Sequence, residues 1–179
     1  MTIYQTIANF GPKLIGKSKM LKFGFNFSPM YKRSTGKILE VSEDICRVRM
    51  TIPISYKNRN YVGSIFGGSM FSAVDPIPMV QLINILENEF VVWDKSAEIF
   101  FKAPAKEDLY ATFEYSPDEL EEIKQYVTQH DEMEIIKTTN LTNREGDRIY
   151  CVVKKKIYIS TKAHYKKKLL ARQNKKPPQ

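Results

Sequence analysis

The chain has 179 residues, 42% of them hydrophobic and 27% charged, and carries a net charge of +8. That length and balance suit one soluble domain with ample material for a core. Nothing in it reads as a membrane span, a secretory signal, a P-loop or a nucleophile elbow, so a cytoplasmic setting is expected. The two cysteines, Cys46 and Cys151, and the two histidines fall in no metal-ligand spacing, which argues against a zinc site and against a disulfide.

In chain order, residues 1–35 read as an N-terminal helix and loop packed on the domain. Ile3, Ile7, Phe10 and Leu14 have near-helical spacing, interrupted by Gly11-Pro12, and the aromatic run Phe23, Phe25, Phe27, Tyr31 follows. Residues 36–161 carry the domain. Gly36–Val41 and Asp44–Ile54 alternate as strands, with Val48, Met50 and Ile52 opposing Arg47, Arg49 and Thr51. A loop and an apolar helix follow. Phe90–Lys102 reads as a strand with a bulge or turn near Asp94, and Leu109–Tyr115 as the next strand. Ser116-Pro117-Asp118-Glu119 starts a helix to about Gln129, with Ser116 as cap and Glu119 completing a capping box. Glu132–Leu141 and Asp147–Ser160 form a closing hairpin. Its last strand places one lysine of Lys154-Lys155-Lys156 on the apolar face. Residues 162–179 are a basic tail, expected to be disordered apart from a short helix through Leu169-Leu170.

The chain is organised around the stretch from Asn60 to Pro78. Gly67-Gly68 precedes an apolar helix marked by Met79, Leu82, Ile83 and Leu86. The first turn of a helix has unpaired N–H groups, and glycine lets a ligand approach them, so Gly67 and Gly68 are candidates for an oxyanion hole. Gly68, Ser72 and Asp75 fall on one face if the helix is continuous. Asp75-Pro76 equally suits a helix cap followed by a first helical residue, which leaves two roles open for Asp75. Seven residues span about 10 Å along a helix. Gly67/Gly68 and Asp75 could therefore serve one carbonyl only if two such helices lay antiparallel across a dimer axis.

Phe66-Gly67-Gly68 followed by Asp75 resembles the His-Gly-Gly…Asp signature of PaaI-like hotdog-fold acyl-CoA thioesterases. Asn60 falls where relatives carry an Asn. The longer string Arg59-Asn60-Tyr61-Val62-Gly63, Phe66-Gly67-Gly68-Ser69, Asp75-Pro76 and Val92-Trp93-Asp94-Lys95 resembles an uncharacterised bacterial branch of that superfamily. The resemblance spans about residues 36–160. It implies an α+β hotdog fold, an antiparallel sheet wrapped around a long central helix, and a homodimer or a dimer of dimers.

The resemblance further implies an acyl-CoA thioesterase. Gly67 and Gly68 would hold the thioester carbonyl, Asp75 would activate water or attack, and Asn60 would orient water or carbonyl. Phe66, Ser69, Ser72, Trp93 and Asp94 would line the substrate. No cofactor is expected, since coenzyme A enters as part of the substrate, and no metal. The family histidine is Phe66 here, and a phenyl ring donates no hydrogen bond. That departure motivates an alternative, a non-catalytic binder of an acyl-CoA or fatty-acyl ligand. No specific nucleic-acid partner is expected. A basic tail docking on nucleic acid or membrane is the third reading, and it would bind with a steep salt dependence.

Overall fold

Alternating apolar residues build the sheet, and one helix with an apolar girdle fills its concave side. In the computed structural model, which describes residues 16–87 and 89–173, six strands form one antiparallel sheet. They are β1 (Lys37–Val41), β2 (Arg47–Ile52), β3 (Phe90–Phe101), β4 (Leu109–Glu114), β5 (Glu132–Thr142) and β6 (Ile149–Thr161). Their order is β1-β2-β4-β5-β6-β3. Strand β3, twelve residues long, therefore lies at an edge and pairs on one side only, with β6.

The helices are α1 (Lys17–Phe27), α2 (Pro29–Arg33), α3 (Gly67–Val74), α4 (Pro76–Ile85), α5 (Pro117–His130) and α6 (Lys162–Gln173). Helices α3 and α4 are two halves of the central helix. Asp75 between them keeps helical angles, φ −46° and ψ −51°, and its N–H donates to Phe71 O at 2.8 Å. Pro76 has no N–H to continue the ladder, which accounts for the division. Met70, Ala73, Val74 and Ile77 pack against Val48, Met50 and Ile52 of β2, and Leu82 and Leu86 pack with Ile157 and Ile159 of β6. Burying each of these larger side chains contributes about 1.5–3 kcal/mol before conformational entropy is counted. The exposed partners of the β2 alternation, Arg47 and Arg49, pair with Glu114 and Glu40.

A bulge sets which way β3 points. The register with β6 shifts between Asp94 and Ser96. Val92 and Asp94 lie opposite Ile159 and Ile157, on the helix side. Beyond the bulge, Ala97, Ile99 and Phe101 lie opposite Lys155, Val153 and Cys151, also on the helix side. One extra residue thus switches the inward set from even to odd numbers.

Several elements differ from the sequence expectation. The aromatic run is helix rather than loop. In α1, Phe25 is buried, and Asn26 both donates to Ile38 O and accepts from Ile38 N. Tyr31 of α2 is fully buried, and its hydroxyl donates to Ala73 O at 3.0 Å. The predicted helix over residues 2–16 falls, but for Gly16, outside the described residues. Strand β2 starts at Arg47 because Asp44 accepts from Ser42 and from the Cys46 N–H, making a tight turn with Ile45 at φ 64°. Ser116 caps α5, accepting from Glu119 N at 3.1 Å. The capping box is not completed, because both Glu119 oxygens accept from Lys137 Nζ at 2.8 Å. The basic segment from Lys162 is helical as far as Gln173, held where Lys168 Nζ donates to Glu132.

Candidate active site

The loop before the central helix is built by one side chain. Asn60 Oδ1 accepts from the N–H groups of Val62 and Ser64, each at 3.1 Å, and its amide donates to Ser64 Oγ at 2.9 Å. Gly63, at φ 77°, turns the chain between them. This turn is local hydrogen bonding of the kind asparagine favours. Asn60 is thereby committed to the loop. Phe66 N then donates to Asn58 O at 2.7 Å, and the chain enters α3 with Phe66 in extended geometry.

The N–H groups of Ser69 and Met70 close on Phe66 O, while those of Gly67 and Gly68 have no acceptor among the described residues. This is the free donor pair that a helix start offers. Two phenyl rings flank it. A Cβ at Gly67 would lie 2.5 Å from the ring of Phe101, and one at Gly68 would lie 2.3 Å from the ring of Phe66. Glycine at both positions lets the rings lie against the backbone, where a Cβ would turn them aside. Both rings are more than half exposed, at 58%. The donors therefore sit between two apolar walls open to the outside.

One helical turn on, Ser72 donates to Gly68 O at 2.7 Å. Gly68 and Ser72 are exposed, Asp75 is half-exposed, and Ser69, on another face, is buried. Asp75 does not cap α4, for its carboxylate makes no bond to the α4 amides. It turns instead toward β6, where its Oδ1 accepts from Lys155 Nζ.

Lys155 is the inward lysine of the final strand. Its side chain is only 3% exposed and lies between two carboxylates, Asp75 Oδ1 and, at 2.9 Å, Asp94 Oδ2. A bare ammonium among Val153, Ile157 and the helix would cost several kcal/mol, and the two carboxylates offset that cost. Burial pushes the Asp94 carboxyl above its usual value, the Lys155 ammonium draws it back, and the nearby Asp75 charge pushes it up again. Asp94 Oδ1 is buried with no partner.

Of the expected site residues, Gly67, Gly68 and Phe66 come together at the helix start, and Asp75 and Asp94 come together at Lys155. Trp93 is elsewhere. It precedes Asp94 on β3, points to the opposite face of the sheet beside Tyr158, and is 53% exposed. Two residues of this region were not assigned from sequence. Lys155 carried a signal, a charge on an apolar alternation, but its partners depend on the pairing of β3 with β6. Phe101 carried none, because its direction depends on the bulge.

No curated protein matches the sequence. Solved structures do resemble this one. PA5026 from Pseudomonas aeruginosa, a protein of unknown function described as a probable thioesterase, aligns with a TM-score of 0.71 at 16% identity, over 80% of this chain and 95% of that one. The thioesterase HI1161 of Haemophilus influenzae aligns at 0.57 and 13% identity, over 81% and 91%. Zebrafish thioesterase superfamily member 2 aligns at 0.55 and 15% identity, over 78% and 96%. At these identities the likeness establishes the fold alone, the hotdog fold. The model of the family described as a domain of unknown function, DUF4442, matches residues 16–157. The chain belongs to the DUF4442 family and is built on a hotdog fold, as the Phe66-Gly67-Gly68…Asp75 resemblance implied.

Proposed function

We propose that the protein hydrolyses an acyl thioester, with an acyl-CoA as substrate and no cofactor beyond the coenzyme A it carries. The observation that supports this most is the accessible face of the central helix. Free Gly67 and Gly68 amides stand at its start, and Asp75 stands two turns on, with one carboxylate oxygen held and the other unpartnered among the described residues. The thioesterase-superfamily neighbours agree with it.

The two halves are about 10 Å apart along one helix, so one site takes its donors from one subunit and its carboxylate from a second copy. The edge strand β3, paired on one side and exposed from Lys95 to Glu98, suits joining of two copies edge to edge. In the reaction, Asp75 takes a proton from water as the oxygen attacks the thioester carbon. The oxyanion forms at the Gly67 and Gly68 amides. It collapses by expelling the thiolate, which recovers the proton, leaving a free acid and a free thiol. Phe66 and Phe101 flank the acyl chain. With phenylalanine at position 66, the backbone donors polarise the carbonyl without side-chain help. The two free thiols, Cys46 and Cys151, suit the reducing cytoplasm.

The test is thiol release from a panel of acyl-CoA thioesters, beside Asp75→Asn. The expected result is release that falls by about 10²–10⁴-fold in the variant. A second reading, an acyl-CoA binder without turnover, is favoured by the lack of a side-chain donor at Phe66. Saturable binding with no thiol release by the folded wild type would establish that reading instead.

A further inference from the structure

The buried ammonium between two carboxylates has no packing rationale. Lys155 lies on the face of β6 that otherwise carries Cys151, Val153, Ile157 and Ile159, all buried. An apolar side chain of similar volume is the cheaper occupant of such a place. The ammonium gives one bond to each aspartate, two of its three donors. The three residues come from three elements: the joint of the central helix, the edge strand at its bulge, and the strand beside it. They are graded in exposure, with Lys155 sealed, the Asp94 side chain at 26% and that of Asp75 at 39%. The cluster is therefore closed behind Asp75 and open in front of it.

We propose that Lys155 and Asp94 are positioning residues for Asp75: Lys155 clamps Oδ1 so that Oδ2 faces the substrate, and Asp94, by sharing the same ammonium, limits how strongly Lys155 weakens Asp75 as a base. The inference rests on the reading of Asp75 as the thioesterase base. A carboxylate paired with an undivided ammonium is well oriented but a poor proton acceptor. Dividing the ammonium between two carboxylates keeps the orientation and restores part of the basicity. Asp94 suits the second place because its Oδ2 holds the same ammonium at 2.9 Å from a side chain less exposed than that of Asp75.

Other charged or titratable groups near the cluster are already engaged. The Tyr115 hydroxyl, at the end of β4, donates to Pro78 O. Lys95 and Lys156 pair with Glu134 outside the helix-facing side of the sheet.

The test uses the whole chain in three variants besides Asp75→Asn. Thiol release against pH is followed together with a carbon-13 NMR titration of the Asp75 carboxyl, assigned from Asp75→Asn, which needs no substrate. Asp94→Asn leaves Lys155 wholly to Asp75. It is expected to move the acid limb of kcat/KM and the Asp75 titration down by about one pH unit, with a lower plateau. Lys155→Met leaves two carboxylates without a cation and is expected to move both up by a similar amount. Lys155→Arg keeps the charge and is expected to stay near the wild type. Loss of packing alone predicts slower or less folded protein with unmoved titrations. Asp75 titrations that coincide in Asp94→Asn, Lys155→Arg and wild type would overturn the proposal. Opposite shifts in the NMR titration without thiol release from any protein would retain the divided clamp and overturn the thioesterase reading.

Discussion

Lysine pairs with carboxylates on each face of strand β6, and the two clusters behave in opposite ways. On the helix side, Lys155, itself sealed from water, bridges Asp94 and the partly open Asp75. On the outer side, Lys168 Nζ and the Tyr158 hydroxyl each donate to Glu132 at 2.5 Å, with His164 nearby, and Lys95 pairs with Glu134. Lys95, Glu132, Glu134, Tyr158 and Lys168 line a shallow, open depression of about 450 Å³. Hydrogen bonds from Lys168 and Tyr158 hold the Glu132 carboxyl below its usual value, whereas burial pushes that of Asp94 above it. The same residue types thus stabilise the fold outside and burden it inside. Groups that burden the fold are characteristic of sites that do chemistry.

The contrast breaks most visibly at Lys155. Lys155→Met strands two carboxylates beside apolar packing, and urea denaturation at pH 7 should show a loss of about 3 kcal/mol, near the low end for a broken buried pair because Asp75 is partly open. A loss within a few tenths would mean that the cluster is already hydrated.

Asp94→Asn sharpens the comparison through its sign. A carboxyl raised in the folded state contributes stability that is full below its unfolded pKa and lost as pH rises through its folded pKa. At pH 7 the asparagine variant should therefore be as stable as the wild type or more so, with the difference closing as pH falls below the ordinary carboxylate range. Lower stability at neutral pH would mean that the bond to Lys155 outweighs burial.

Glu132→Gln should show the smallest effect and the opposite sign. A depressed carboxyl contributes stability above its unfolded pKa that is lost as pH falls through its folded pKa. Exposure and salt hold that contribution below about 1 kcal/mol. It should shrink further in 1 M salt, where the Debye length is about 3 Å; a salt-insensitive loss would show that the outer cluster is not a screened surface network.

Much of this architecture was legible in the residues. Alternation located Val48, Met50 and Ile52, and it placed Lys155 on an apolar face. The Ser116-Pro117 start located α5. The Gly67-Gly68 pair and the spacing to Asp75 marked the accessible helix face, here seen as exposed Gly68 and Ser72 leading to half-exposed Asp75. What escaped depends on contacts far apart in the chain. Whether Asp75 caps α4 or faces a partner was undecidable locally, because Lys155, 80 residues away, decides it. Glu119 leaves its own capping box for Lys137, a pairing set by how α5 lies on β5. Phe101 meets Gly67 only because of one extra residue near Lys95. Alternation describes a strand by itself, whereas a bulge is fixed by its neighbour.

Subunit complementation tests the central claim most directly, since that claim joins the amides of one chain to the carboxylate of another. Gly67→Pro removes a free N–H at the first helical position, where proline's backbone angles are tolerated and the exposed Phe101 ring must turn aside to admit it, and Asp75→Asn removes the base. Each variant alone should release little thiol. Each heterodimer would hold one intact and one doubly defective site, so an equal mixture, dissociated and reassembled, should recover about a quarter of the wild-type rate. A mixture shown to contain heterodimers yet no more active than its parents would contradict a site built from two subunits.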